Sequence, residues 1–355
     1  MTALKITNFL YRITHWETWP YLVKYVPIGP AWLWYCLRSG SFWFFTPSNP
    51  TLTFGGFEGE SKNEMYLQLP PGSYPHSIFI SHTLTFAEVQ ELMTAGNFKF
   101  PFAVKPDVGM MGFMFRKIEN VEQFQKYHTV MHVDYILQHF IEYPLEVSVF
   151  YYRYPNEASG HITGFLKKEF LEVTGDGVST LLELIIQYPR VRFRVEEMKL
   201  KHEKRLNDII PEGEIYCLSY ALNLSRGGKL VSLAHEKDSR LLKVFDELSH
   251  YTKHFYYGRY DIKCLSIKDL KQGQNFSILE YNGSGAEPHH IYGDGNTLLQ
   301  AYRIVLHHWN ILYKISKLNY NNGQRYWTSR DGFQFLKRAI QYFKKLKRLD
   351  TTFEI

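Results

Sequence analysis

The chain has 355 residues, 45% hydrophobic and 21% charged, with a formal net charge of +6. That composition excludes a disordered chain, and the length suits two or three domains, each with its own core. No run reaches the roughly 18 apolar residues of a simple membrane span. Cys36, Cys217 and Cys264 show neither metal nor disulfide spacing, as expected of a reduced, cytoplasmic protein with no signal peptide.

Residues 1–95 form an aromatic N-terminal region interrupted by Pro20, Pro27, Pro30, Pro47 and Pro50. Trp16, Trp19, Trp32, Trp34 and Trp43 lie within it, with Arg12, Lys24 and Arg38 interspersed. Its second half predicts a helix over 61–69, a strand over 77–80 and a helix over 85–94. Thr85 and Glu88 form a capping box for the last of these. Residues 96–190 read as a central subdomain of strands with helices over 120–127 and 179–187, Ser179 being the N-cap of the second. Residues 191–325 hold a basic helical stretch, further strands and a helix over 297–316.

Residues 326–355 read as one basic amphipathic helix. Phe333, Leu336, Ala339, Ile340, Phe343 and Leu346 recur at helical spacing, and Lys337, Arg338, Lys344, Lys345, Lys347 and Arg348 fill much of the rest. Two readings stand for the two ends of the chain. They pack on the body, or on each other in a homodimer. Alternatively they touch an anionic membrane peripherally, at the inner membrane surface. The basic residues form no recognisable nucleic-acid module.

Two clusters carry chemistry. Residues 102–106 form a short β run containing Lys105, followed by a turn with Gly109 and Gly112, whose backbone N–H groups can approach a phosphate closely. Far downstream, Arg259 and Asp261 end one β-like run, and Glu280 and Asn282 end another. Strand alternation puts Glu280 and Asn282 on one face, and Asp261 joins them if the two runs pair. Two carboxylates and an amide oxygen suit a hard cation such as Mg²⁺.

With these clusters in order, residues 60–310 resemble the ATP-grasp superfamily, in particular D-alanine–D-alanine ligase and the ATP-grasp part of cyanophycin synthetase. Lys62 and Lys105 look like the family's two nucleotide lysines, with the flap at Gly109 and Gly112 following the second. The segment 135–141, with Gln138 and Phe140, resembles the strand that meets the adenine. Glu146 matches the carboxylate that holds the ribose hydroxyls. Segments 174–185 and 223–228 are similar to stretches of the same relatives. Arg259, Asp261, Glu280 and Asn282 match the family's arginine and magnesium ligands.

The resemblance implies an α/β (α+β) fold with mixed and antiparallel sheets, and ATP held between two α+β subdomains. It implies Mg-ATP-dependent ligation of a carboxylate to an amine through an acyl phosphate, with Lys105 and Arg259 holding the transferring phosphoryl group. Two other readings stay open: an ATP-grasp kinase acting on a small molecule without amide formation, and a non-catalytic nucleotide-binding, membrane-associated module. Lys167 and Lys168 read either as phosphate contacts or as guards of an edge strand. Segment 284–292 departs from the D-alanine pattern. There Glu287 suits an ammonium or guanidinium, and His289 or His290 a carboxylate or hydroxyl. Adjacent histidines face two directions, which argues against zinc held by both.

Overall fold

The computed structural model describes residues 8, 11–110, 112–191, 193–219, 228–293 and 295–353. Most of segment 223–228 therefore lies outside the described residues. Two antiparallel sheets dominate. The smaller has the order β1-β4-β2-β3, built from β1 (Ser77–Ile80), β2 (Phe102–Pro106), β3 (Arg116–Ile118) and β4 (Tyr135–His139). The larger has the order β11-β10-β5-β6-β9. Its strands are β5 (Leu145–Tyr152), β6 (His161–Glu169), β9 (Lys229–Ser232), β10 (Tyr257–Cys264) and β11 (Phe276–Asn282). A two-stranded ribbon, β7 (Leu171–Thr174) with β8 (Ile215–Ser219), extends beyond β6. These pairings run across the segment boundaries at 95 and 190.

Alternation along β5 shows how the larger sheet is sandwiched. Val147, Val149 and Tyr151 point into one core, where they meet Leu241, Val244, Phe245 and Leu248. Those four residues come from a helix over Ser239–Thr252, at the spacing that puts them on one face. Asp238 starts that helix, its carboxylate accepting the backbone N–H groups of Arg240 and Leu241. Phe150 and Tyr152 point the other way, into a second core with Phe44, Phe45, Leu312 and Ile315. The aromatic N-terminal region thus packs against the larger sheet together with the long helix Leu298–Asn321. Trp32 packs edge-on to Trp309 and Tyr35 stacks on Tyr313. Asn49 latches this region to the sheet: its amide meets the carbonyls of Gly55 and Tyr257, the N–H groups of Tyr256 and Tyr257, and the Tyr281 hydroxyl.

The capping box of Thr85 and Glu88 is present, on a helix over Phe86–Ala95. The cap expected at Ser179 is instead Thr180, which forms a capping box with Glu183, while Ser179 bonds back to Asp176. A hydroxyl three residues before a Glu satisfies two orphan N–H groups reciprocally; Ser179 has a leucine at that spacing. The C-terminal helix spans Ser329–Thr352. Its packed face carries Gly332, Ala339 and Leu346, whereas Phe333 and Ile340 face solvent. The apolar spacing read from the sequence therefore mixed two faces.

Candidate active site

The two sheets leave a cleft of about 730 Å³ between them. Its lining includes Lys62, Lys105, Gly109, Gly112, Gln138, Phe140, Glu146, Asp261 and Glu280. Lys105 projects from β2, whose residues are all buried. Its Nζ donates to the Tyr66 hydroxyl at 2.9 Å and to the Leu279 carbonyl at 3.2 Å. Burial, then the charge of nearby Lys62, pushes Lys105 down to about 7. Lys62 opens the short helix Lys62–Tyr66, capped by Ser61. It pairs with Glu280 at 3.2 Å and donates to the Gly109 carbonyl at 3.2 Å. Burial alone would lower Lys62, but the Glu280 and Glu60 carboxylates outweigh it and leave the ammonium firmly charged.

The acidic strands pair as expected. β10 and β11 are antiparallel, with Asp261 opposite Glu280 and Arg259 opposite Asn282. Alternation along β10 puts Tyr257, Arg259 and Asp261 on the face shared with Phe150, so the aromatic core continues into a charged site. The Arg259 guanidinium meets both Asp261 oxygens, at 3.3 and 3.4 Å. Lys168 bridges Asp261 at 3.2 Å and Glu146 at 3.0 Å. Burial would raise the Asp261 carboxyl, yet Arg259 and Lys168 hold it well below the usual carboxylate range. Glu280 is likewise held low, Lys62 offsetting its burial. Two ionised carboxylates with a neighbouring amide form an oxygen-only donor set of the kind a hard divalent cation takes. Asn282 lies 3.4 Å from Asp261. Among the described residues, no group of three His, Cys, Asp or Glu side chains offers an alternative metal centre.

The glycine turn is held from outside. Gly112 has φ +71°, a conformation that favours glycine. Asp350 of the C-terminal helix accepts the Met114 N–H at 2.8 Å and pairs with Arg116 at 3.0 Å. Tyr342 donates to the Val108 carbonyl at 2.7 Å. Gln138 is buried, its amide donating to Tyr66 and Ser77, and its side chain is thus already engaged. Phe140 lies under two cations, Lys117 at 5.2 Å and Lys263 at 5.8 Å from its ring.

Arg259 sits between this cleft and a second cavity of about 350 Å³. Its Nη1 donates to the Glu287 carbonyl at 3.0 Å and to His289 Nε2 at 3.2 Å. An arginine only donates, so Nε2 of His289 accepts and its proton is on Nδ1. Burial and the Arg259 charge keep His289 neutral. Glu287 lines the second cavity with Tyr21, Tyr25, Trp32 and Trp309, and its carboxylate accepts the hydroxyls of Tyr25 and Tyr292. The structure does not bring His290 to either cavity. Its ring lies over Gly164, where an added Cβ would come within 2.4 Å of it, and 5.3 Å from the ring of His308.

No protein-family model matches the sequence, and no curated protein matches it. Solved structures similar to it include a bifunctional glutathione synthetase from Pasteurella multocida, at 14% identity and TM-score 0.43, over 73% of this chain and 38% of that one. D-alanine–D-alanine ligase from Bacillus anthracis is similar at 12% identity and TM-score 0.39, over 74% and 67%. The ATP-grasp ligase PsnB with its minimal precursor is similar at 14% identity and TM-score 0.36, over 70% and 60%. The mixed α/β architecture with antiparallel sheets is the class expected from the sequence. This chain spans well under half the length of the glutathione synthetase.

Three side chains of the cleft were not singled out in the sequence. Tyr66 gathers Lys105, Gln138 and the Leu279 carbonyl around one hydroxyl. It lies four residues after Lys62, the spacing that shares a helix face, and that was a usable signal. Lys117 and Lys263 come from β3 and β10, and only the approach of the two sheets brings them together. Of the neighbouring Lys167 and Lys168, only Lys168 enters the cleft; Lys167 pairs with Glu169. The edge-strand reading does not hold, because β6 lies between β5 and β9.

Proposed function

We propose that the chain is an ATP-dependent ligase joining a carboxylate to an amine. The observation that carries this reading is the convergence on one cleft of Lys62, which bridges to Glu280, and the buried Lys105 with two ionised carboxylates, Asp261 and Glu280, on adjacent strands. A carboxylate oxygen of the acid attacks the terminal phosphorus of ATP, forming a P–O bond as ADP leaves. The amine nitrogen then attacks the acyl carbon, phosphate departs and the nitrogen loses a proton. Lys62, Lys105 and Arg259 hold the phosphate oxygens, the planar Arg259 fork being suited to the transferring group. Asp261, Glu280 and Asn282 would hold Mg²⁺, which neutralises phosphate charge when bound. Glu146, currently paired with Lys168, faces the cleft where a ribose hydroxyl could replace the lysine. Glu287, among aromatic walls beyond Arg259, suits the ammonium of an amine with an apolar body.

The test is ADP release from Mg-ATP across a panel of carboxylates and amines, with an Asp261→Ala/Glu280→Ala variant as the blank. Release that needs both an acid and an amine supports the ligase. Release with one acceptor alone supports the kinase reading. ATP binding without release above the blank, across the whole panel, favours a binding module.

A further inference from the structure

Residues 18–57 contain no Asp or Glu, and neither do residues 332–349. Together the two stretches hold eight Lys and Arg residues. That exceeds the net +6 of the whole chain, so the remainder is slightly acidic. The structure joins the two stretches: the Phe42 ring lies 6.0 Å from Phe333, and Trp43 packs edge-on to Phe333 at 4.9 Å.

Both stretches present large apolar side chains to solvent. In the N-terminal region Leu22, Val26, Leu33, Trp34, Leu37 and Phe42 are exposed, Leu37 to 78% and Leu22 to 72%. Leu33, Trp34 and Leu37 share one face of the helix Gly29–Ser39, turned away from Trp32 and Tyr35, which pack on the core. On the C-terminal helix, Phe333, Lys337, Ile340, Lys344 and Lys347 recur at spacings of four and three, a single stripe of alternating apolar and cationic groups. All five are exposed, and none of the three lysines has a carboxylate partner among the described residues. Scattered exposed apolar residues are ordinary, but a run of this length rimmed by one sign of charge marks an interaction surface. Trp, Leu and Phe beside Lys and Arg, with no acid within either stretch, match the headgroup zone of an anionic bilayer, where rings enter the acyl boundary and ammonium groups meet phosphates. Among the described residues no helix is long and apolar enough to cross a membrane, so any contact through these helices lies along the surface.

We propose that this joined face docks on an anionic lipid surface. Leu22 and Val26 also line the second cavity, but the test uses none of its residues and none of the cleft, so the reading stands or falls independently of the ligase activity. The test is co-sedimentation of the full chain with phosphatidylcholine vesicles, with and without phosphatidylglycerol. The expected result is binding to the phosphatidylglycerol vesicles alone, lost at ~1 M salt, where the Debye length falls to about 3 Å. Lys344→Gln and Lys347→Gln each weaken it about fivefold. Trp34→Ser/Leu37→Ser weakens it further while circular dichroism stays unchanged. No binding at low salt, or binding untouched by both sets of substitutions, overturns the proposal. So does a dimer in sedimentation velocity that Trp34→Ser/Leu37→Ser dissolves, which would assign the face to a second copy of the chain.

Discussion

Lys105 gives the sharpest prediction. Its ammonium is buried, close to Lys62, and lowered to about 7, so at pH 8.5 most molecules carry it neutral. Its neighbours from the packed elements are Lys62, Glu280, Asp107 and the Tyr66 hydroxyl. A bound triphosphate adds negative charge and favours the protonated form, so binding above pH 7 must draw a proton from solution. The affinity for ATP therefore falls about tenfold per pH unit above 7, roughly 1.36 kcal/mol each, until the raised value in the complex is reached. Titration calorimetry at pH 8.5 in buffers of different ionisation enthalpy reads the proton count directly. The expected slope is close to one proton taken up per ATP, and near zero in Lys105→Met. Glu60 is also raised to about 7, chiefly by burial, and Glu60→Gln separates its contribution. A slope of zero in the native protein, or one unchanged by Lys105→Met, would refute this account of the site.

Three further outcomes follow from particular contacts. Asp350→Ala frees the Met114 N–H and Arg116 together, loosening the glycine turn, and should raise the KM for ATP about tenfold and lower the Tm by several degrees, since each charge-assisted bond contributes roughly 1.5–3 kcal/mol. Asn49→Ala leaves several buried backbone groups without partners and should cost at least about 3 kcal/mol in urea unfolding. Glu287→Gln should raise the KM for the amine at least about tenfold, as expected for a lost charge-assisted contact, and leave ATP binding unchanged.

Local signals in the chain were sufficient for much of this. The strand over 77–80, the capping box at Thr85 and the β run around Lys105 depend on side-chain alternation and on hydroxyl-to-amide spacing, both of which act within a few residues. So does the sharing of one strand face by Glu280 and Asn282. Tertiary structure decided the rest. Asp261 reaches Glu280 only because β10 and β11 pair in one register, and a slip of one residue would have turned it to the opposite face. Lys168, in a dipeptide of two lysines, enters the cleft only because β6 is interior to its sheet. His290 is withheld by its packing over Gly164, although its neighbour His289 meets Arg259. On the C-terminal helix, one apolar series divides between a packed face and a solvent face because the body covers only one side. Charge and polarity select the residue types of a site, but which of them converge depends on strand order and on the partners that desolvate each group, and those contacts span hundreds of residues.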